Sequence, residues 1–245
     1  MVMAEATNHY FKHLGVSDGL SQVCIPSIYQ DELGAVWLGT TEGLNRYNGK
    51  DVKVFQPSES NHGLTNNEIN ELCGDKNGRM YIRSGNDLIK LDIYTEQFTC
   101  LRQKGVYGLF CKKDTLWVSC ADGIYYYTGQ GTELTFFARV QKGFVGRALY
   151  VDRETVWVVT RKYLVAISRE DPLRQEILLT LDKGNCILGD SSGNIWVGAW
   201  NGLYRVSPDR ETTAYVSHSG MGELSDNQVR CVLEDDFKHI WVGTF

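Results

Sequence analysis

Asp31, Glu42 and Arg46 fall inside one nineteen-residue stretch, YQDELGAVWLGTTEGLNRY (29–47). Two carboxylates and a guanidinium this close in sequence could serve acid–base cleavage of a glycosidic bond, provided the fold holds the carboxylates roughly 5 to 9.5 Å apart. Elsewhere, residues able to do chemistry are scattered. Seven cysteines (24, 73, 100, 111, 120, 186, 231) form no Cys-x-x-Cys pair. Together with five histidines (9, 13, 62, 218, 239) they make no cluster at zinc spacing, so no metal and no cofactor is expected. The cysteines read as small buried apolar side chains, and their odd number leaves at least one free thiol.

What positions Asp31 is a repeat. The stretch recurs as LGDSSGNIWVGAWNGLYRV (188–206), as LEDDFKHIWVGTF (233–245) and, more weakly, as CGDKNGRMYIRSGNDLIKL (73–91). Two degenerate copies are FCKKDTLWVSCADGIYYY (110–127) and YVDRETVWVVTRKYLVAI (150–167). The anchor aromatics are Trp37, Tyr81, Trp117, Trp157, Trp196 and Trp241, separated by 44, 36, 40, 39 and 45 residues. A period near forty with glycine-punctuated strand signals is that of four-stranded propeller blades. The expected fold is therefore an all-β propeller of four-stranded antiparallel blades. About five and a half to six blades of a seven-bladed ring are expected, a truncated fragment whose last blade is incomplete. Residues 1–8 read as a leader and 9–245 as propeller, with HYFKHL (9–14) in an outer-strand position from which it closes the ring or pairs with the sixth blade.

The repeat assigns most conspicuous residues to the scaffold. Asp31, Asp75, Asp190 and Asp235 each precede an anchor by six residues, where an aspartate accepts backbone N–H bonds in a tight turn. Gly39 and Gly198 recur two residues after the tryptophan. Arg46, Lys90 and Arg205 share one offset, which predicts a bond to a neighbouring backbone carbonyl. Ser21, Thr65 and Ser225 recur before the inner strands as turn formers. The anchor aromatics are expected in the core between blades.

The whole composition agrees with a globular β protein: 42% apolar residues, 11% aromatics, 25 glycines and 4 prolines in 245 residues. The net charge of −5 supplies no basic field for phosphate counterions, so nucleic acid is not an expected partner. No apolar run of about eighteen residues marks a membrane helix. The start, MVMAEATNHYF, lacks the shape of a signal peptide.

With these phrases in hand, the chain resembles the two-component-regulator propeller repeats of hybrid two-component sensors from gut Bacteroides-type bacteria. FKHLGVSDGLSQVCIPSIYQDELGAVWLGTTEGLNRYNGKDVKVF (11–55) and the copies around Trp196 and Trp241 carry the resemblance. It implies a periplasmic sensor region of an inner-membrane protein that detects glycan-derived oligosaccharides. It further implies a second propeller, an immunoglobulin-like domain, a C-terminal histidine kinase and a homodimer, all outside this sequence. On that implication the chain itself is not an enzyme. The alternatives are a dimerisation scaffold that binds no ligand and, further off, a propeller lyase or glycosidase.

Ligands of a rigid propeller meet its variable loops. The loops between second and third strands are TTEG (40–43), SGND (84–87), CADG (120–123), TRKY (160–163) and AWNG (199–202). Trp200 offers a ring on which a sugar could stack and Asn201 could bond its hydroxyls. Arg161 and Lys162 could pair with uronate or sulfate groups. Glu42 and Asn45 complete the set of candidate ligand-binding residues.

Overall fold

Each Asp-x-x-Gly phrase closes a hairpin. The Asp31 carboxylate accepts from the backbone N–H of Leu33 (3.0 Å) and Ala35 (2.8 Å), and Gly34 takes a φ of +87° that only glycine tolerates easily. Its second oxygen accepts from Trp37 Nε1 at 2.8 Å, so the turn aspartate also fixes the anchor ring. The bond recurs from Trp196 to Asp190 (2.8 Å) and from Trp241 to Asp235 (2.8 Å). Trp157 donates to Asp152 at 2.6 Å, an equivalent aspartate only five residues upstream that the six-residue spacing misses. Tyr81 has no indole N–H to give. There Asp75 pairs with Arg79 instead, and the buried tyrosine hydroxyl has no partner among the described residues.

A computed structural model of the chain describes residues 13–58, 63–129, 131–217 and 224–245. Blade 1 comprises β1 (Ser27–Gln30), β2 (Val36–Thr40), β3 (Gly43–Tyr47) and β4 (Val52–Phe55). Blade 2 comprises β5 (Ile69–Gly74), β6 (Arg79–Ser84), β7 (Asp87–Asp92) and β8 (Gln97–Arg102). Blade 3 comprises β9 (Val106–Lys112), β10 (Thr115–Cys120), β11 (Gly123–Tyr127) and β12 (Thr135–Ala138). Blade 4 comprises β13 (Gly146–Val151), β14 (Thr155–Thr160), β15 (Tyr163–Ser168) and β16 (Gln175–Thr180). Blade 5 comprises β17 (Cys186–Gly189), β18 (Ile195–Ala199), β19 (Gly202–Val206) and β20 (Thr212–Tyr215), and the sixth sheet pairs β21 (Val229–Glu234) with β22 (Ile240–Thr244). Every sheet is an antiparallel meander, and the inner strands β1, β5, β9, β13, β17 and β21 follow one another from blade to blade. The proposed leader (1–8) and residues 9–12 of the ring-closing segment lie outside the described residues, while His13 and Leu14 are in no strand.

The core lies between blades. Trp37, Phe55, Ile69, Leu72 and Met80 form one cluster across blades 1 and 2; Trp117 and Leu149 belong to another across blades 3 and 4, and Trp157 and Val197 to a third across blades 4 and 5. Trp37 and Tyr81 are fully buried, so truncating Trp37 to alanine would cost about 3–5 kcal/mol. Gly39 and Gly198 let adjacent blades close up: a Cβ on Gly39 would lie 2.8 Å from Ile69 Cγ2, and one on Gly198 2.6 Å from Val229 Cγ1.

Three expectations are corrected. Trp241 is 62% exposed rather than core, because its sheet holds two strands and nothing further covers it among the described residues. Of the cysteines only Cys120 is buried; Cys24 lies on the loop before β1 and Cys231 on the two-stranded sheet, and both are exposed. The residues at the Arg46 offset meet side chains rather than carbonyls. Arg46 pairs with Glu96 (2.9 Å) and lies over Trp37, Arg205 reaches Thr213 Oγ1 (3.4 Å), and Lys90 reaches the Tyr127 hydroxyl (3.4 Å).

Candidate functional site

Asp31 and Glu42 sit at opposite ends of β2, whose five residues span roughly 16 Å at the usual strand rise. They are therefore not a hydrolytic carboxylate pair. Asn45 is fully buried and faces inward: its Nδ2 donates to Ser21 Oγ (2.8 Å) and its Oδ1 accepts from Ser21 N (2.9 Å). It ties the Ser21 turn to β3 and does not reach the loop surface. Glu42 is exposed on blade 1.

The other four candidates converge. Gly184 N donates to Arg161 O (3.0 Å), Leu181 N to Lys162 O (2.7 Å) and Trp200 N to Asp182 O (2.8 Å), so the 160–163, 181–184 and 199–202 loops are laced together. Asn201 Oδ1 accepts from Asp182 N (3.0 Å), which leaves its amide N–H groups as the outward donors. Arg161 and Lys162 are exposed. Two cations that were not singled out from the sequence join them. Lys183 Nζ lies 3.5 Å from the Trp200 ring centroid, and Arg230 Cζ lies 5.8 Å from it and 4.6 Å from that of Phe245. Among the described residues, none of Arg161, Lys183 and Arg230 is ion-paired with a carboxylate.

Arg230 reaches this place because its strand bulges. In blades 2, 3, 4 and 6 the inner strand slips by one residue against the second strand, at the end nearest these loops. The extra residues are Asn70, Tyr107, Arg147 and Arg230. A bulge re-aims a side chain without disturbing the rest of the ladder, which suits a recognition surface. Beside the first bulge, Glu71 accepts from Arg83 Nε at 3.3 Å. Burial pushes the Glu71 carboxyl up to about 6, against the opposing pull of Arg83 and of the Leu109 backbone N–H.

On the opposite face a cavity of about 700 Å³ is lined by Arg153, Arg169, Arg174 and Arg210, with Glu154 and Glu176. Arg169 is held by the carbonyls of Asp152 and Arg153, and Arg210 by Glu176. Glu170 also lines the cleft, so three carboxylates accompany four guanidinium groups, of which Arg210 alone is ion-paired among the described residues. Among the described residues no group of three or more His, Cys, Asp or Glu could hold a metal ion, and no helix is long and apolar enough to cross a membrane.

Residues 223–245 match the family model for the two component regulator propeller. A 53-residue segment, 22% of this chain, is 40% identical to a histidine kinase of Formosa agariphila, of which it covers 4%. The fold is similar over 95% of the chain, at a TM-score of 0.74 and 21% identity, to the extracellular domain of a hybrid two component system of B. thetaiotaomicron. The chain covers 40% of that domain. The virginiamycin B lyase of Staphylococcus aureus is similar in fold over 89% of this chain and 77% of its own, at a TM-score of 0.68 and 11% identity. The chain therefore spans well under half of the kinase and of the extracellular domain it matches. Residues 223–245 thus match a two component regulator propeller repeat, and the sheets before them give the chain the β-propeller fold of the extracellular domains it is similar to.

Proposed function

We propose that the chain is the extracytoplasmic ligand-sensing propeller of a hybrid two-component sensor. It takes a glycan-derived oligosaccharide at the loop face and performs no chemistry on it. The signal leaves through segments outside this sequence, a second propeller and an immunoglobulin-like domain among them, towards a C-terminal histidine kinase. One observation carries the ligand side of this reading: Lys183 and Arg230 lie over Trp200, Arg161 stands on the adjoining loop, and among the described residues none of the three forms an ion pair with a carboxylate. Unpaired guanidinium groups beside an aromatic ring suit a sugar bearing uronate or sulfate, the anion on the arginines and the ring against the indole.

The test is a thermal-shift screen of this chain against neutral, uronate-bearing and sulfated oligosaccharides. An acidic member should raise the melting temperature, and Trp200→Ala and Arg161→Ala should each abolish most of the rise. A rise that survives both substitutions would remove the loop face as the binding site, and no rise with any member would leave the chain a scaffold. Turnover of any glycan by the purified chain would overturn the non-catalytic reading.

A further inference from the structure

We propose that Cys73 and Cys111 are a disulfide-forming pair that bolts the inner strand of blade 2 to that of blade 3. Their Sγ atoms are 2.8 Å apart. Two unbonded sulfurs do not settle so near, and only a small movement separates them from the ~2.05 Å of a disulfide bond. Among the described residues no second pair of sulfurs makes such a contact, although Cys186 and Cys231 also occupy neighbouring inner strands.

Both partners are held by ladders rather than by loops. Cys73 lies opposite Tyr81 on β6 and Cys111 opposite Leu116 on β10, so the approach of the two thiols is set by the packing of one blade on the next. Both side chains are half-buried. Burial, then the neighbouring Cys111, push the Cys73 thiol well above the usual range. Attack can begin from either sulfur, with the same products.

The step needs a two-electron acceptor, here an oxidised disulfide of the glutathione or carrier-protein class. The Cys111 thiolate attacks one sulfur of that carrier, and its other sulfur leaves as a thiolate. The Cys73 sulfur then attacks Cys111 Sγ in the mixed disulfide and displaces the second carrier sulfur. The protons of both cysteines pass to the two carrier thiolates, which depart reduced. Such carriers act in oxidising compartments, so where the bond forms in the cell rests on the extracytoplasmic placement proposed above. The pairing itself does not, and it can be tested on the purified chain.

The experiment is to equilibrate the chain with oxidised glutathione, denature it, alkylate the remaining thiols, and weigh and map the products. One linked peptide pair should contain Cys73 and Cys111, and each of the other five cysteines should carry either the alkyl group or a glutathione. The link closes a 38-residue separation, so reduction should lower the melting temperature of the wild type by about 10 °C. Cys73→Ser should abolish the linked pair, and Cys186→Ser should leave it in place. Seven cysteines each carrying the alkyl group or a glutathione, or a linked pair joining any other two, would overturn the proposal.

Discussion

Replacing Asp31 by alanine removes three hydrogen bonds with a single side chain, and the cost of losing them follows from where each donor lies. Leu33 is 57% exposed, so its N–H finds water and contributes little. Ala35 and Trp37 are buried, at 5% and 0% exposure, and their N–H groups are left without acceptors. An orphaned buried donor costs about 1–3 kcal/mol, so the pair costs about 2–6 kcal/mol. Part of this is offset because a nearly buried carboxylate no longer has to be desolvated. A net loss of about 3 kcal/mol corresponds to a melting temperature lower by roughly 6–12 °C in a chain of this size. Asp31→Asn keeps an acceptor for the turn but turns an N–H₂ towards the indole N–H, so it should fall between wild type and alanine. The internal control is Asp235, which accepts the same three bonds from Phe237 N (2.9 Å), His239 N (2.9 Å) and Trp241 Nε1 (2.8 Å). Its indole is 62% exposed, so water replaces the lost acceptor and Asp235→Ala should shift the melting temperature much less. Circular-dichroism melts and urea titrations of the variants decide the matter. Equal losses at Asp31 and Asp235 would show that the aspartate matters through the turn alone and refute the burial argument.

Gly39→Ala places a Cβ 2.8 Å from Ile69 Cγ2 and 3.0 Å from Ile69 O, and should cost about 1–3 kcal/mol by forcing blades 1 and 2 apart. Gly34→Ala, where the Cβ meets nothing but the φ is +87°, should cost about 1 kcal/mol; urea midpoints compare the two. Glu71 supplies a pH signature. Its folded value of about 6 lies above its ordinary 4.5, so its contribution to stability is fully present below 4.5 and lost as the pH rises through 6. The stability of wild type relative to Glu71→Gln should therefore decline across that window, and parallel urea midpoints from pH 4 to 7 would exclude the shift.

The parts legible in the sequence are those that the repeat enforces through a local bond or a close approach. The turn aspartate, the anchor aromatic and the glycine two residues later each act within one hairpin or against one neighbour, so their spacing survives in the copies at Trp37, Trp196 and Trp241, although Lys238 (φ +70°) replaces the turn glycine in the last. GLNRY and GLYRV accordingly coincide with β3 and β19. The reading fails where tertiary context decides. Asp152 performs the duty of Asp31 from one residue nearer its tryptophan, because the hairpin between β13 and β14 is shorter. Asn45 reads as a candidate ligand-binding residue until the Ser21 turn closes over it. Trp241 carries the anchor signature, but burial is supplied by neighbouring sheets and not by the motif. Bulges are the hardest case. A one-residue slip leaves the composition and period of an inner strand unchanged, yet it decides that Arg147 and Arg230 are the extra residues turned out of the ladder. A motif search keyed to recurring residues passes over such positions, since the repeat fixes only where the slip occurs and leaves its residue free to vary: asparagine at 70, tyrosine at 107, arginine at 147 and 230. That freedom is what a recognition surface on a fixed scaffold requires. It is also how Arg230 comes to join Lys183 over Trp200, where no repeated aspartate does.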